Sequence, residues 1–135
     1  MLLLVDTNAI VYLAAGLPMR ETALAEIEAA GRAGAVLVSP VSAWEVGLLA
    51  AKGRLPLSLE PRLWFATFLA RPGVRLAPLT PSAALLSAFL PGDLHADPAD
   101  RLLASTAREL RVPLVTRDAR LLAYAAAGHL RAVAC

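Results

Sequence analysis

The chain has 135 residues, 58% of them hydrophobic and 18% charged, which suits one domain with a substantial core and excludes a disordered chain. The net charge of +2 does not by itself announce a nucleic-acid binder; twelve of the thirteen basic residues are Arg, Lys52 being the exception, which suits bidentate phosphate contacts and equally a biased genome composition. The one cysteine, Cys135, excludes an intrachain disulfide and sets aside a cysteine-based zinc site.

In chain order, short Leu- and Val-rich runs alternate with longer segments of helical period. Leu2 to Val5 reads as a first strand, followed by a helical run from Ala9 to Ala14 and a helix from Met19 to Ala33. A strand at Ala35 to Val38 leads to a helix at Val41 to Lys52, and a further helix spans Pro61 to Ala70. Val74 to Leu79 reads as a strand, Pro81 to Leu90 and Ala99 to Leu110 as helices, and Pro113 to Thr116 as the next strand. A helix at Ala119 to Ala127 and a strand at Arg131 to Ala134 complete the series. Several of the helices open on Pro or on a capping residue. This alternation predicts an α/β fold of three layers, with a mainly parallel sheet of four to five strands flanked by helices, in a single domain over residues 1–135.

The longest charge-free stretch, Leu76 to Gly92, is interrupted by Pro78, Pro81 and Pro91, so no membrane-spanning helix is expected. The opening MLLLV has no basic residue before it and Asp6 ends it too early for a signal segment. The expected location is the cytoplasm. The hydrophobicity also leaves room for an exposed apolar patch, and with it a dimer or a protein partner.

Four acids stand where strand ends or helix faces would gather them: Asp6 in VDTN, Glu45 in SAWEVG, Asp100 in DPADRLL and Asp118 in VTRDAR. Ligands of open parallel sheets bind beyond the carboxyl ends of the strands, where chain order reverses. Asp6 follows the first strand and Asp118 lies two residues beyond Thr116, so their carboxyls meet there if those strands are neighbours. Carboxylates gathered in one pocket repel each other and need a divalent cation to stay ionised together. Each acid also has an ordinary reading. Asp6 and Asp118 are good N-caps; Asp97 caps a helix in which Pro98 is first and Asp100 third, where it complements the dipole.

Glu45 is harder to explain away, because Val41, Trp44, Leu48 and Leu49 surround it on a helix and no basic residue lies three or four positions off. Asn8, the only Asn in a chain without Gln, places an amide where a carboxylate or water needs orienting, and Thr116 could contact a ligand or merely end its strand. Arg101 and Arg117 are candidate phosphate contacts or surface pairs. His95 and His129 have no partner at ligand spacing and read as loop or surface residues. No Gly-rich phosphate loop, GxSxG elbow or HExxH occurs.

Together, VDTN, SPVSAWEVGLLAAKGRL, HADPADRLLASTA and PLVTRDARL resemble, in order and over essentially the whole chain, the PIN-domain ribonucleases, and among these the VapC-type toxins of toxin–antitoxin pairs. Ala99 stands where the family often carries a bulkier apolar residue such as Phe. By resemblance, Asp6, Glu45, Asp100 and Asp118 form the acidic tetrad, with Asn8 and Thr116 supporting. The resemblance implies Mg²⁺ or Mn²⁺ held by oxygen ligands, water attacking an RNA phosphorus, a homodimer, and a cognate antitoxin that wraps the apolar surface and inserts a basic side chain among the acids. Two other readings stay open. A receiver-like or phosphatase-like domain also puts Asp after a strand, but both families use a Lys near the phosphate, and Lys52 ends the helix carrying Glu45. A non-catalytic PIN-like module would hold metal or RNA without cutting.

Overall fold

The computed structural model describes residues 1–135. Five parallel strands, β1 (Leu3–Val5), β2 (Val36–Val38), β3 (Val74–Leu76), β4 (Leu114–Thr116) and β5 (Ala132–Ala134), form one sheet in the order β3-β2-β1-β4-β5. Seven helices connect them: α1 (Thr7–Ala15), α2 (Glu21–Arg32), α3 (Pro40–Ala51), α4 (Pro61–Leu69), α5 (Pro81–Leu86), α6 (Pro98–Leu110) and α7 (Ala119–Ala126).

Strand side chains alternate between the two faces, and both faces are covered, which makes the three layers. Leu3, Val5, Val36, Val38 and Val115 join a core with Ile10 of α1, Ile27 of α2 and Phe65 and Phe68 of α4. Leu4, Leu37 and Leu114 point the other way, into a core with Leu103 and Ala104 of α6 and Leu121 and Tyr124 of α7. The α/β expectation and the five strands therefore hold, with small differences at the ends.

The third strand stops at Leu76 rather than Leu79. Ala77 still donates to the Val38 carbonyl at 2.8 Å, but Pro78 has no N–H with which to continue. The helix expected from Pro81 to Leu90 is an α-helix only to Leu86; Ser87–Phe89 tighten into a 3-10 turn before Pro91. The first helix starts earlier than Ala9, at Thr7, because Asp6 caps it. Gly73, with φ +83°, takes the turn into β3 with its backbone against α2; a β-carbon there would lie 1.9 Å from the Gly31 carbonyl oxygen.

The order of strands reverses between β1 and β4, which pair in parallel through Leu4 with Leu114 and Val5 with Val115. The segments that leave these two strands begin at Asp6 and at Arg117, so the chain turns into α1 and α7 side by side at this edge.

Candidate active site

Asp6 is buried at the carboxyl end of β1. Its Oδ1 accepts the Thr7 amide at 2.7 Å and its Oδ2 accepts the Thr116 hydroxyl at 2.6 Å. Thr116, at the end of β4, receives in turn the Asp118 amide at 3.0 Å. One buried hydroxyl thus ties together the two strand ends across which the acids face. Asp118 also caps α7, its Oδ1 accepting the Arg120 amide at 2.8 Å and the Leu121 amide at 3.1 Å.

Asp100 is buried in the first turn of α6, whose start is fixed by Asp97 accepting the Asp100 amide at 3.1 Å and by Pro98 in first position. Its Oδ2 lies 2.6 Å from His95 Nε2. His95 lies in a loop, as expected, but its side chain is not at the surface: it is 16% exposed and its Nδ1 is buried without a partner. A histidine without a second histidine at ligand spacing carries no metal signal, and the only trace of this contact in the sequence is the five-residue spacing from His95 to Asp100.

Glu45 is half-buried on α3, and its Oε1 accepts the Thr7 hydroxyl at 2.5 Å. The same hydroxyl lies 2.9 Å from Ser42 Oγ. Thr7 was not singled out by sequence reasoning, although it sits inside VDTN between Asp6 and Asn8; its backbone binds Asp6 while its side chain binds Glu45. The expected apolar stripe around Glu45 is only partly the buried face. Val41, Ser42 and Val46 point inward, whereas Trp44 and Leu48 are exposed. Glu45 lies at the border, where α3 meets α1. Asn8 is exposed on α1.

Neither predicted arginine faces the acids as a free phosphate contact. Arg101 donates from Nε to the Ser87 carbonyl at 2.9 Å and from Nη1 to the Leu94 carbonyl at 2.7 Å, pinning the segment that carries His95 onto α6. Arg117 stacks on the Tyr12 ring at 4.1 Å and donates to the Cys135 carbonyl at 2.7 Å.

Electrostatically the acids act as a group. Burial, opposed by the Thr116 hydrogen bond and aided by the charges of Asp100 and Asp118, pushes Asp6 from 3.8 up to about 6. Burial, opposed by Thr7 and aided by Asp6, Asp100 and Asp97, pushes Glu45 from 4.5 up to about 7. Asp100 is also raised, by burial first, with the His95 contact holding it down and Asp97 and Asp118 pushing it up. The ionic neighbours that act most strongly on Asp6 and Glu45 are other carboxylates. Such a set takes up positive charge favourably, and its donors are all hard oxygens suited to Mg²⁺ or Mn²⁺. It is not a finished cage: no three His, Cys, Asp or Glu side chains are arranged to hold an ion, and both oxygens of Asp6 and one of Asp100 are engaged by Thr7, Thr116 and His95. The donor set fits a hard divalent cation that shares these oxygens.

A model of the PIN domain family matches residues 3–127. The chain is 35% identical over 98 residues to the ribonuclease VapC22 of Mycobacterium tuberculosis, a match covering 73% of this chain and 74% of that protein. Among solved structures, VapBC2 from Rickettsia felis bound to a promoter DNA fragment aligns with a TM-score of 0.72 at 16% identity, over 99% of this chain and 98% of that one. DNA-bound VapBC from Salmonella typhimurium gives 0.68 at 20% identity, over 99% and 98%. FitAcB from Neisseria gonorrhoeae gives 0.62 at 20%, over 97% and 96%. At these identities the solved structures speak for the fold alone. A family match over nearly the whole chain, joined to a curated relative across about three-quarters of it, makes this chain a member of the PIN-domain family, of the VapC type.

Proposed function

We propose that the chain is a Mg²⁺-dependent endoribonuclease, with Mn²⁺ as a substitute, acting as the toxin of a type II toxin–antitoxin pair in the cytoplasm. The observation that carries this reading is the mutual repulsion of buried carboxylates at the strand-order reversal, with no lysine or arginine among the strongest ionic influences on Asp6 or Glu45. The named relative supports RNA as the substrate, and the VapBC complexes among the similar structures support an antitoxin partner.

Asp6 and Asp100 are assigned as the principal metal ligands, Asp118 as a ligand of the same or a second ion, and Glu45 as a ligand or as the base that orients water. The cation, when bound, neutralises charge on the phosphate oxygens and lowers the proton affinity of water. The Thr7 hydroxyl holds Glu45, and the Thr7 amide and Thr116 hydroxyl hold the two oxygens of Asp6, so their carboxylates are oriented before substrate arrives. Glu45, raised to about 7, is suited to accept a proton from attacking water near neutral pH. Asn8, exposed beside Asp6 and Thr7, is assigned to substrate rather than to the carboxylates.

Exposed apolar side chains at Trp44 and Leu48 of α3 and at Leu85, Leu86 and Phe89 around α5 provide surface for the antitoxin and for a homodimer. No helix is long and apolar enough to cross a membrane. The rival reading is a non-catalytic PIN-like module that holds metal or RNA without cutting.

The test is incubation of total cellular RNA with the purified chain and Mg²⁺ or Mn²⁺, with and without EDTA, beside Asp6→Asn. Discrete fragments that vanish with EDTA and in the variant support the proposal. RNA binding without cleavage supports the module, and undiminished cleavage by Asp6→Asn overturns the site.

A further inference from the structure

The acids lie at the carboxyl edge of the sheet, and the opposite edge carries the reverse charge. Where α6 ends and β5 begins, a cavity of about 460 Å³ is lined by Arg108, Arg111 and Arg131 together with His129 and Val112, and by no carboxylate. None of the three guanidiniums is in a salt bridge. Glu109, the nearest acid in sequence, is turned away, with its carboxylate oxygens 2.9 and 2.7 Å from the Thr80 hydroxyl. Arg108 and Arg131 each spend a donor on a backbone carbonyl, those of His129 and Arg111, which fixes their guanidiniums at the rim. A guanidinium has five N–H donors, so most remain for a ligand.

Arg111 is the most informative of the three. It ends α6 with φ +57°, and every other residue of positive φ in the chain is a glycine. Glycine would suit that backbone better, as it does at Gly16 behind α1. The Arg111 side chain makes no hydrogen bond or salt bridge within the protein, so the fold does not account for its guanidinium. Three unneutralised guanidiniums around an open cavity suit phosphate oxygens, which they bind as charge-assisted, bidentate donors.

We propose that this arginine cavity binds phosphate groups of the RNA substrate away from the scissile bond, an inference that rests on the ribonuclease reading for the identity of the polymer. The reach is suitable: the seven steps from Arg111 to Asp118 span at most about 25 Å, so a few nucleotides of single strand passing around the β5 edge connect cavity and carboxylates.

The test measures binding of a fluorescent 20-nucleotide single-stranded RNA to the full chain in EDTA across a salt series, for the parent, Arg111→Gly and Arg111→Glu, with thermal melts of each. Thermal shift with inorganic pyrophosphate forms the second arm. Arg111→Gly should weaken RNA three- to tenfold and reduce the salt slope by about 0.7, the value for one phosphate contact on a single strand, with no loss of melting temperature. Arg111→Glu should weaken it further. Unchanged RNA affinity and slope in both variants, while the parent binds RNA, overturns the cavity and leaves the ribonuclease reading standing. Pyrophosphate binding that is lost in the variants without change in RNA affinity overturns the RNA assignment in favour of a free phosphate site. Absence of RNA binding by the parent overturns the cavity's RNA assignment, while the ribonuclease reading is decided separately by cleavage with Mg²⁺.

Discussion

Replacing Asp6 by Asn should stabilise the metal-free chain while removing its activity. Asp6 takes up its proton near pH 3.8 when unfolded and near 6 when folded. Between these values the folded state holds more protons, so stability falls as pH rises, and the full penalty of about 3 kcal/mol is present above pH 6. Asn carries no such penalty. It keeps the acceptor for the Thr7 amide, but its other atom is an NH₂ facing the Thr116 hydroxyl, which already accepts the Asp118 amide and must then turn its own proton elsewhere. That loss costs about 1 kcal/mol. The net gain at pH 7.5 is about 2 kcal/mol, or roughly 6 °C of melting temperature for a chain of this size. At pH 4.5 the penalty on Asp6 shrinks to about 1 kcal/mol and the advantage of Asn disappears. Thermal melts of both proteins in EDTA at the two pH values measure this directly. A variant that melts below the parent at pH 7.5, or an advantage that persists undiminished at pH 4.5, refutes the account of Asp6 as a carboxylate held against burial and repulsion.

Adding Mg²⁺ should raise the melting temperature of the parent more at pH 7.5 than at pH 5, because protons and metal compete for the same oxygens, and should raise that of Asp6→Asn less; equal shifts in the two proteins would contradict the ligand assignment. Cleavage by the parent should fall on the acid side of neutrality as Glu45 takes up its proton, and Glu45→Gln should leave only a small, flat residual rate across that range in single-turnover assays. Arg101→Ala frees the carbonyls of Ser87 and Leu94 and should destabilise the chain by about 2 kcal/mol, with faster amide exchange in the segment carrying His95; Arg101→Lys should recover part of the loss. His95→Ala removes the partner of Asp100 and should cost about 2 kcal/mol in denaturant melts, the scale of a hydrogen bond to a charged group.

The fold was legible because its signals are local. Leu3 to Val5, Val36 to Val38 and Leu114 to Thr116 are short apolar runs between helical periods, and Asp6, Asp97 and Asp118 mark helix starts just where caps are expected. Asp6 and Asp118 could be brought to one edge because parallel strands put their carboxyl ends together, and β1 and β4 are indeed neighbours. What stayed hidden depends on pairing at a distance. Thr7 meets Glu45 across 38 positions and Thr116 meets Asp6 across 110, and no periodicity in either segment encodes such a meeting. His95 lies in an irregular segment, and Arg101 looked like an exposed base until the loop it fastens was in place. The early end of β3 and the tightened end of α5 are short-range effects of Pro78 and Pro91 that element-level reading smooths over. The left-handed backbone of Arg111 has no sequence signal, since arginine is not the residue expected there.

On the proposed reading the acids at the sheet edge serve both folding and cleavage, and this makes them unequal under mutation. Asp118 holds two amides at the start of α7, so a variant that loses it gives up about 1 kcal/mol of folding free energy even where cleavage no longer matters. Asp6 contributes only one amide contact, and its charge opposes folding. A population of cells selected to escape the harm done by such a nuclease should therefore accumulate full-length, well-folded inactive chains altered at Asp6, while losses at Asp118 should be found among chains that are also poorly retained. The order in which inactive alleles arise would then record the folding cost of each carboxylate, read from surviving lineages rather than from a melting curve.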